Sequence, residues 1–182
     1  HSAAIHRENL PQARVSRGDE RTMAMARAFG APAIIVSDIR DGSLRKSAAD
    51  AGVPVLLFEG GEGLRFDETA VRAGLAGILR VMQSIGMVDS NLIEEAEVQP
   101  FLSEKSFWLR APEGGLLRFN QALGDTVQAG EVVGVITDIF GDHEHEITTK
   151  HGGVVIGRST MPIVNEGDAV AHIARSTELE QA

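Results

Sequence analysis

The two short unbroken apolar runs Ala33-Ile34-Ile35-Val36 and Val53-Pro54-Val55-Leu56-Leu57-Phe58 constrain this chain more than any other feature. Apolar runs of this length without alternation read as strands buried on both faces, and such strands belong to sheets covered by helices. Between them Ser43 stands where a helix over Leu44 to Ala51 needs its N-cap, and Gly52 terminates that helix; the spacing suits a strand-helix-strand crossover. Upstream, Asp19-Glu20 opens a helical run through Met23, Met25, Ala26 and Phe29, with Gly30 and Pro32 as stop signals. Downstream, Asp67 starts the longest helix, and Val71, Leu75, Ile78, Leu79 and Met82 mark one face of it before Gly86 ends it. The first half of the chain is therefore α/β.

After Phe107 the helical period disappears, and short Val/Ile/Leu runs alternate with Gly, Asp and Asn turns, which argues for an all-β unit. It carries a weak internal repeat. Gly114-Gly115-Leu116-Leu117 leads to Gly124-Asp125-Thr126-Val127 and then Val133-Gly134-Val135-Ile136; Gly152-Gly153-Val154-Val155 leads to Gly167-Asp168-Ala169-Val170 and then His172-Ile173. The two motifs are expected to pack on each other, with each Gly-Asp pair forming a tight turn before a strand. The boundaries that follow are an α/β domain over 1–90, a polar linker over 91–105 that includes Glu94-Glu95-Ala96-Glu97, and a β-sandwich or barrel domain over 106–182.

Composition removes several functions. With 182 residues, 43% hydrophobic and 24% charged, the chain has enough apolar material for one ordinary domain and a smaller one. No apolar run approaches the roughly 20 residues that span a bilayer, and the N-terminus lacks the order of a signal peptide, so no membrane partner is expected. The absence of cysteine removes disulfides, thiolate metal sites and cysteine nucleophiles, leaving His, Asp and Glu as the strong metal donors. Residues 1–88 carry 11 Lys/Arg against 10 Asp/Glu, whereas residues 89–182 carry 6 against 16. No basic cluster is available to displace counterions from phosphates, and 4% aromatic residues supply few stacking platforms, so nucleic acid is not expected as a partner. An acidic, cysteine-free chain suits the cytoplasm.

Four places can carry chemistry. Glu59 follows Val55-Leu56-Leu57-Phe58 and precedes Gly60-Gly61, which puts it at the carboxyl end of a strand, where α/β sheets bind ligands and a partly desolvated carboxylate can act as a general base. An ordinary turn carboxylate fits the same pattern. The opening stretch from His1 to Gln12 is dense in polar groups without a clear period, as in a site loop; His1 could ligate a metal and Arg7, with Asn9, recognise a carboxylate or carbonyl through its planar fork. Terminal histidines are also commonly solvated. In the second half His143, Glu144, His145, Glu146 and His151 invite a metal reading, but two histidines on one strand face without a firm third ligand are better explained as a solvated strand or turn. Lys150 within the β repeat raises the idea of a biotinyl- or lipoyl-like carrier.

His1-Ser2, His6-Arg7-Glu8-Asn9-Leu10-Pro11-Gln12-Ala13-Arg14, Gly42-Ser43-Leu44-Arg45 and Val55-Leu56-Leu57-Phe58-Glu59-Gly60-Gly61 together resemble the succinylglutamate desuccinylase/aspartoacylase family. The likeness runs in order over nearly the whole chain. It implies an α/β fold of the zinc-carboxypeptidase kind followed by a small all-β barrel-sandwich domain, and an enzyme that uses one zinc to hydrolyse the amide bond of a small N-acyl amino acid or related compound. Within the resemblance His1 corresponds to the later zinc-binding His, Glu59 to the general base, Arg7 and Asn9 to the substrate-carboxylate region, and Arg45 to a further substrate contact. The family's earlier His/Glu zinc pair has no counterpart, so the resemblance makes residues 1–90 the C-terminal part of a catalytic domain and predicts that this chain alone is inactive.

Zinc held by His and carboxylate lowers the pKa of its water towards about 7, and Glu59 would take the proton and return it to the leaving amine. The β domain would shape the site or mediate assembly into a homo-oligomer. It resembles the biotinyl module, but carriers place the lysine at the turn occupied here by Asp138-Ile139-Phe140-Gly141-Asp142-His143, and Lys150 comes later. The alternative to an enzyme is a non-catalytic binding protein on a degenerate hydrolase fold, which an upstream sequence lacking the His/Glu pair would favour.

Overall fold

A computed structural model of the chain describes residues 5–89, 93, 96 and 99–176. Two compact units are present, one formed by Pro11–Gly60 and Phe66–Lys105, the other by His1–Leu10, Gly61–Arg65 and Ser106–Ala182.

The first unit is α/β. Its elements are β1 (Arg7–Ser16, of which Pro11 onward belongs here), α1 (Glu20–Phe29), β2 (Ala33–Ser37), α2 (Leu44–Asp50), β3 (Leu57–Gly61, of which residues up to Gly60 belong here), α3 (Glu68–Ser84) and β4 (Phe101–Ser103). The strands lie in the order β3-β1-β2-β4, with β2 parallel to β1 from Gln12 opposite Ala33 to Ser16 opposite Ser37, and β4 parallel to β2. The helices start where their caps predict. Asp19 accepts from the N–H groups of Arg21 and Thr22, Ser43 from Lys46 and Asp67 from Ala70, each satisfying donors that the first turn leaves without partners.

Three local expectations shift. The opening stretch, read without a period, includes strand β1, whose alternation sets Ala13 and Val15 in the core against Gln12, Arg14 and Ser16 on the other face. Small apolar residues opposite a fully buried glutamine leave no hydrophobic period to detect. Strand β3 begins at Leu57 rather than Val53, because Pro54 has no N–H to give a ladder, and it runs on to Gly61, so Glu59 lies within the strand rather than at its carboxyl end. The polar connection contains β4, short but paired with β2.

Helix α3 packs through a different stripe from the one its apolar residues mark. Val71, Leu75 and Ile78 are more than half exposed, while Gly74 and Gly77 are buried and Val81 packs against the core of Ala13, Val15, Ala26, Phe29, Ile34 and Val36. The glycines allow close approach: a Cβ at Gly77 would collide with the Phe29 ring, and one at Gly74 would lie 3.1 Å from Phe58 Cε1.

The second unit is all β. Its further strands are β5 (Ser106–Arg110), β6 (Gly115–Phe119), β7 (Thr126–Val127), β8 (Val132–Thr137), β9 (Glu144–Thr148), β10 (Gly153–Ser159), β11 (Ile163–Val164) and β12 (Ala169–Arg175). One sheet runs β1-β10-β12-β5, with Arg7, Glu8 and Asn9 opposite Ser159, Arg158 and Gly157; the other runs β11-β6-β8-β9. Leu109, Leu117, Val127, Ile136, Ile147, Val155, Val170 and Ile173 belong to its core. The expected barrel-sandwich is an open sandwich: β9 and β11 remain sheet edges, and β9 carries Glu144 and Glu146 exposed, a charged edge that discourages further pairing.

The repeat is realised by exchange of short strands. β7 of the first motif pairs with β10 of the second, and β11 of the second pairs with β6 of the first. Both turns before these motifs' later strands have the same construction. Gly124 and Gly167 have φ of 90° and 83°, and Asp125 and Asp168 each accept from the N–H three residues earlier, of Ala122 and Asn165, at 2.8 Å. No helix among the described residues is long and apolar enough to cross a membrane.

Candidate active site

The alternation of β1 and β3 gives the α/β unit two unlike sides. Ala13, Val15, Ile34, Val36 and Phe58 meet in one core with α1, so Gln12, Arg14, Ser16, Ser37 and Glu59 fall on the opposite side of their strands. Polar groups gather there. Arg14 donates from Nε to Glu59 Oε2 at 2.8 Å, with the two side chains 18% and 22% exposed, so both charges keep partial access to water. A second Arg14 nitrogen, Nη2, donates to Gln12 Oε1 at 3.3 Å, and Gln12 is fully buried. The guanidinium is thus held on two sides.

Arg45, in the first turn of α2, reaches the ends of the two parallel strands: Nη1 donates to Ser37 Oγ at 2.9 Å, and Nη2 to Ser16 Oγ at 3.0 Å and to the Ser37 carbonyl at 3.3 Å. Its buried Nε has no hydrogen-bond partner among the described residues. Burial, and then the Arg14 charge, lower the Arg45 pKa from its ordinary value, while Glu59 acts in the opposite sense. Two arginines and one carboxylate therefore share one field, with positive charge in excess. A small cavity of about 150 Å³ lies beside Arg45, lined also by Ser16, Asp19 and Arg21.

The other candidates lie in the β unit. Arg7 stands over the Trp108 ring at 4.8 Å, and Trp108 also stacks on His172 with centroids 4.5 Å apart and planes at 10°. Such a cation-π contact restrains a guanidinium without consuming its hydrogen bonds. Asn9, almost fully buried, donates from Nδ2 to the Gly61 carbonyl at 3.2 Å. Glu62 accepts at one oxygen from the His6 N–H at 2.9 Å and from Thr160 Oγ1 at 3.1 Å, and lies 3.4 Å from Arg65 Nε through the other.

His1 lies outside the described residues. Among those described, no three His, Asp or Glu groups come together to hold a metal ion, so they do not make a site for the zinc that the resemblance implies. The acidic-histidine segment is a solvated strand with pairwise contacts: His145 Nε2 lies 3.2 Å from Glu113, Glu144 lies 3.8 Å from Arg118, and His151 meets Phe107 edge-on. Lys150 is exposed in the turn between β9 and β10, while the hairpin between β8 and β9 carries Asp138 to His143 and no lysine.

Arg14 and Gln12 are the site residues that sequence reasoning passed over. Their signal was available in retrospect: a charged residue flanked by Ala13 and Val15, with polar residues two positions away on either side, is what one polar face of a buried strand looks like.

Residues 1–85 match the family model for the succinylglutamate desuccinylase/aspartoacylase catalytic domain. The crystal structure of a succinylglutamate desuccinylase/aspartoacylase from Rhodobacter sphaeroides is 25% identical, with a TM-score of 0.80 over 95% of this chain and 56% of that one. The product-bound ectoine utilization protein EutE (DoeB) from Ruegeria pomeroyi is 20% identical, with a TM-score of 0.79 over 97% of this chain and 56% of that one, and shares the fold. A succinylglutamate desuccinylase from Silicibacter sp. TM1040 does so at 20% identity, with a TM-score of 0.77 over 95% of this chain and 55% of that one. The chain thus spans little more than half the length of these solved relatives. No curated protein shows significant similarity to it. Residues 1–85 are thus similar to the catalytic domain of the succinylglutamate desuccinylase/aspartoacylase family, and the mixed α/β fold matches that of solved structures described as members of that family.

Proposed function

We propose that this chain is the C-terminal part of a cytoplasmic zinc-dependent deacylase that hydrolyses the amide bond of a small N-acyl amino acid or related compound, with Glu59 as general base. The observation that carries the proposal is the Arg14–Glu59 pair. A carboxylate with one oxygen engaged by a guanidinium at 2.8 Å, and still 22% exposed, is both held by a partner and open to water, which is what a general base needs. Glu59 would accept a proton from water as the oxygen adds to the amide carbonyl carbon. As the C–N bond breaks, the same proton passes to the leaving nitrogen, giving a carboxylic acid and an amine.

The residues of this chain suit an anionic substrate. Arg7, restrained on Trp108, and Asn9 would bind its carboxylate, and Arg45 would add a contact or a positive field. The proposal keeps zinc as the cofactor, with His1 as the one ligand from this chain and the rest supplied from outside the described residues. The β unit would shape the site or mediate assembly.

The test is Glu59→Gln in the full-length protein, assayed on a panel of N-acyl amino acids with bound zinc measured in parallel. Loss of turnover by about 100-fold or more with zinc and fold retained supports the reading. Undiminished turnover overturns it. A parent protein that binds such ligands without turning them over supports the non-catalytic binding protein instead.

A further inference from the structure

The Arg14–Glu59 contact does more than pair two half-buried charges. A carboxylate that acts first as base and then as acid needs one oxygen aimed at the reacting water and has no use for rotation that alternates its two oxygens. In this chain Oε2 is engaged by Arg14 Nε, and the guanidinium that engages it is itself fixed by Gln12, which is fully buried. Arg14 and Gln12 sit two residues apart on one strand, so this support comes from rigid β-structure rather than from a loop. Arg45 differs: both its terminal nitrogens are committed to Ser16 and Ser37.

We propose that Arg14 is the positioning residue of the general base: it fixes Oε2 of Glu59 and leaves Oε1 as the atom that exchanges the proton. The inference rests on Glu59 being the base. It assigns to Arg14 no contact with substrate, which separates its role from those of Arg7 and Arg45.

The experiment compares Arg14→Gln, Arg14→Lys and Glu59→Gln in the full-length protein, with kcat and KM expressed per folded molecule and folding followed by thermal denaturation. Arg14→Gln is expected to lower kcat by about 100-fold with KM within about 3-fold of the parent, since misplacement of a catalytic group costs the chemical step and not binding. Arg14→Lys, which restores the charge and one donor, is expected to recover about a tenth of the parent kcat. The proposal is overturned by a kcat within about 3-fold of the parent in Arg14→Gln, by a rise in KM with kcat unchanged, or by a Lys variant no better than Gln. If Glu59→Gln abolishes turnover and Arg14→Gln does not, only the role of Arg14 falls; if Glu59→Gln turns over normally, the assignment of the base falls with it.

Discussion

Replacing Gly77 by Ala and, separately, Leu75 by Ala inverts the ranking that hydrophobic pattern predicts. By propensity and pattern alone, Gly77→Ala in a helix interior gains about 1 kcal/mol, whereas Leu75→Ala on the apolar stripe costs about 2–5 kcal/mol as a core truncation. The structure reverses both. A methyl at Gly77 falls on the Phe29 ring, and that ring is 4% exposed and packed on Phe58 at 5.1 Å between centroids, so it has no free direction in which to move. Overpacking of this kind costs about 1–3 kcal/mol, and subtracting the gain in propensity leaves a net loss of about 1 kcal/mol. Leu75 is 61% exposed. Full burial of Leu is worth about 1.5–3 kcal/mol, so the buried remainder is worth about 0.6–1.2 kcal/mol, and the Cβ that Ala retains and its higher helix propensity reduce the net loss to less than about 1 kcal/mol. Urea unfolding of this chain followed at 222 nm reads the relevant unit, because the three helices among the described residues belong to it. With a slope of about 2 kcal/mol per molar urea, Gly77→Ala should lower the midpoint by about 0.5 M and Leu75→Ala by less. A Gly77→Ala protein as stable as the parent, or a loss of about 2 kcal/mol or more in Leu75→Ala, would refute the packing described for α3.

Two further outcomes follow from local geometry. Asp125→Ala and Asp168→Ala each remove the acceptor of a 2.8 Å turn hydrogen bond, and each should destabilise the β unit by about 1 kcal/mol, by similar amounts because the turns are built alike; calorimetry of the two variants checks both size and likeness. At the hairpin between β8 and β9, desolvation pushes the Asp138 pKa up, but the N–H groups of Asp142, Phe140 and Gly141, together with His143, outweigh it and hold the carboxyl below its usual value. A depressed folded-state pKa contributes stability above the unfolded value and loses it as pH falls through the folded one, so amide exchange at Phe140 and Asp142, corrected for intrinsic rates, should lose protection below the ordinary carboxylate range and not above it. Protection unchanged down to strong acid would contradict this.

Much of this protein was legible because its signals are local. The three N-caps, the strand at Ala33 to Val36, the stop at Gly30 and the Gly-Asp turns all rest on contacts spanning a few residues, and a reader of sequence sees such contacts directly. Pattern marked Glu59 by its place after an apolar run but fitted an ordinary turn carboxylate as well, and resemblance added the role of general base. Strand β1 was hidden because its buried face is made of Ala13 and Val15 and its other face holds a buried glutamine, so burial and polarity part company. The shift of β3 came from a proline inside an apolar run, whose missing donor outweighs the hydrophobicity around it.

What the sequence by itself determined is the order of the helices and of the strands other than β1 and β4, their caps and turns, the change from α/β to all-β, and a resemblance to a hydrolase family. What only the tertiary structure decided depends on residues far apart in the chain. Arg14 meets Glu59 across 45 positions because β3 lies beside β1. Likewise α3 turns its glycines rather than its leucines to the core, because the Phe29 and Phe58 rings it rests on leave room for no more than a hydrogen atom at Gly77. Periodicity reports that a helix has a face; the shape of what it packs against selects which face is used.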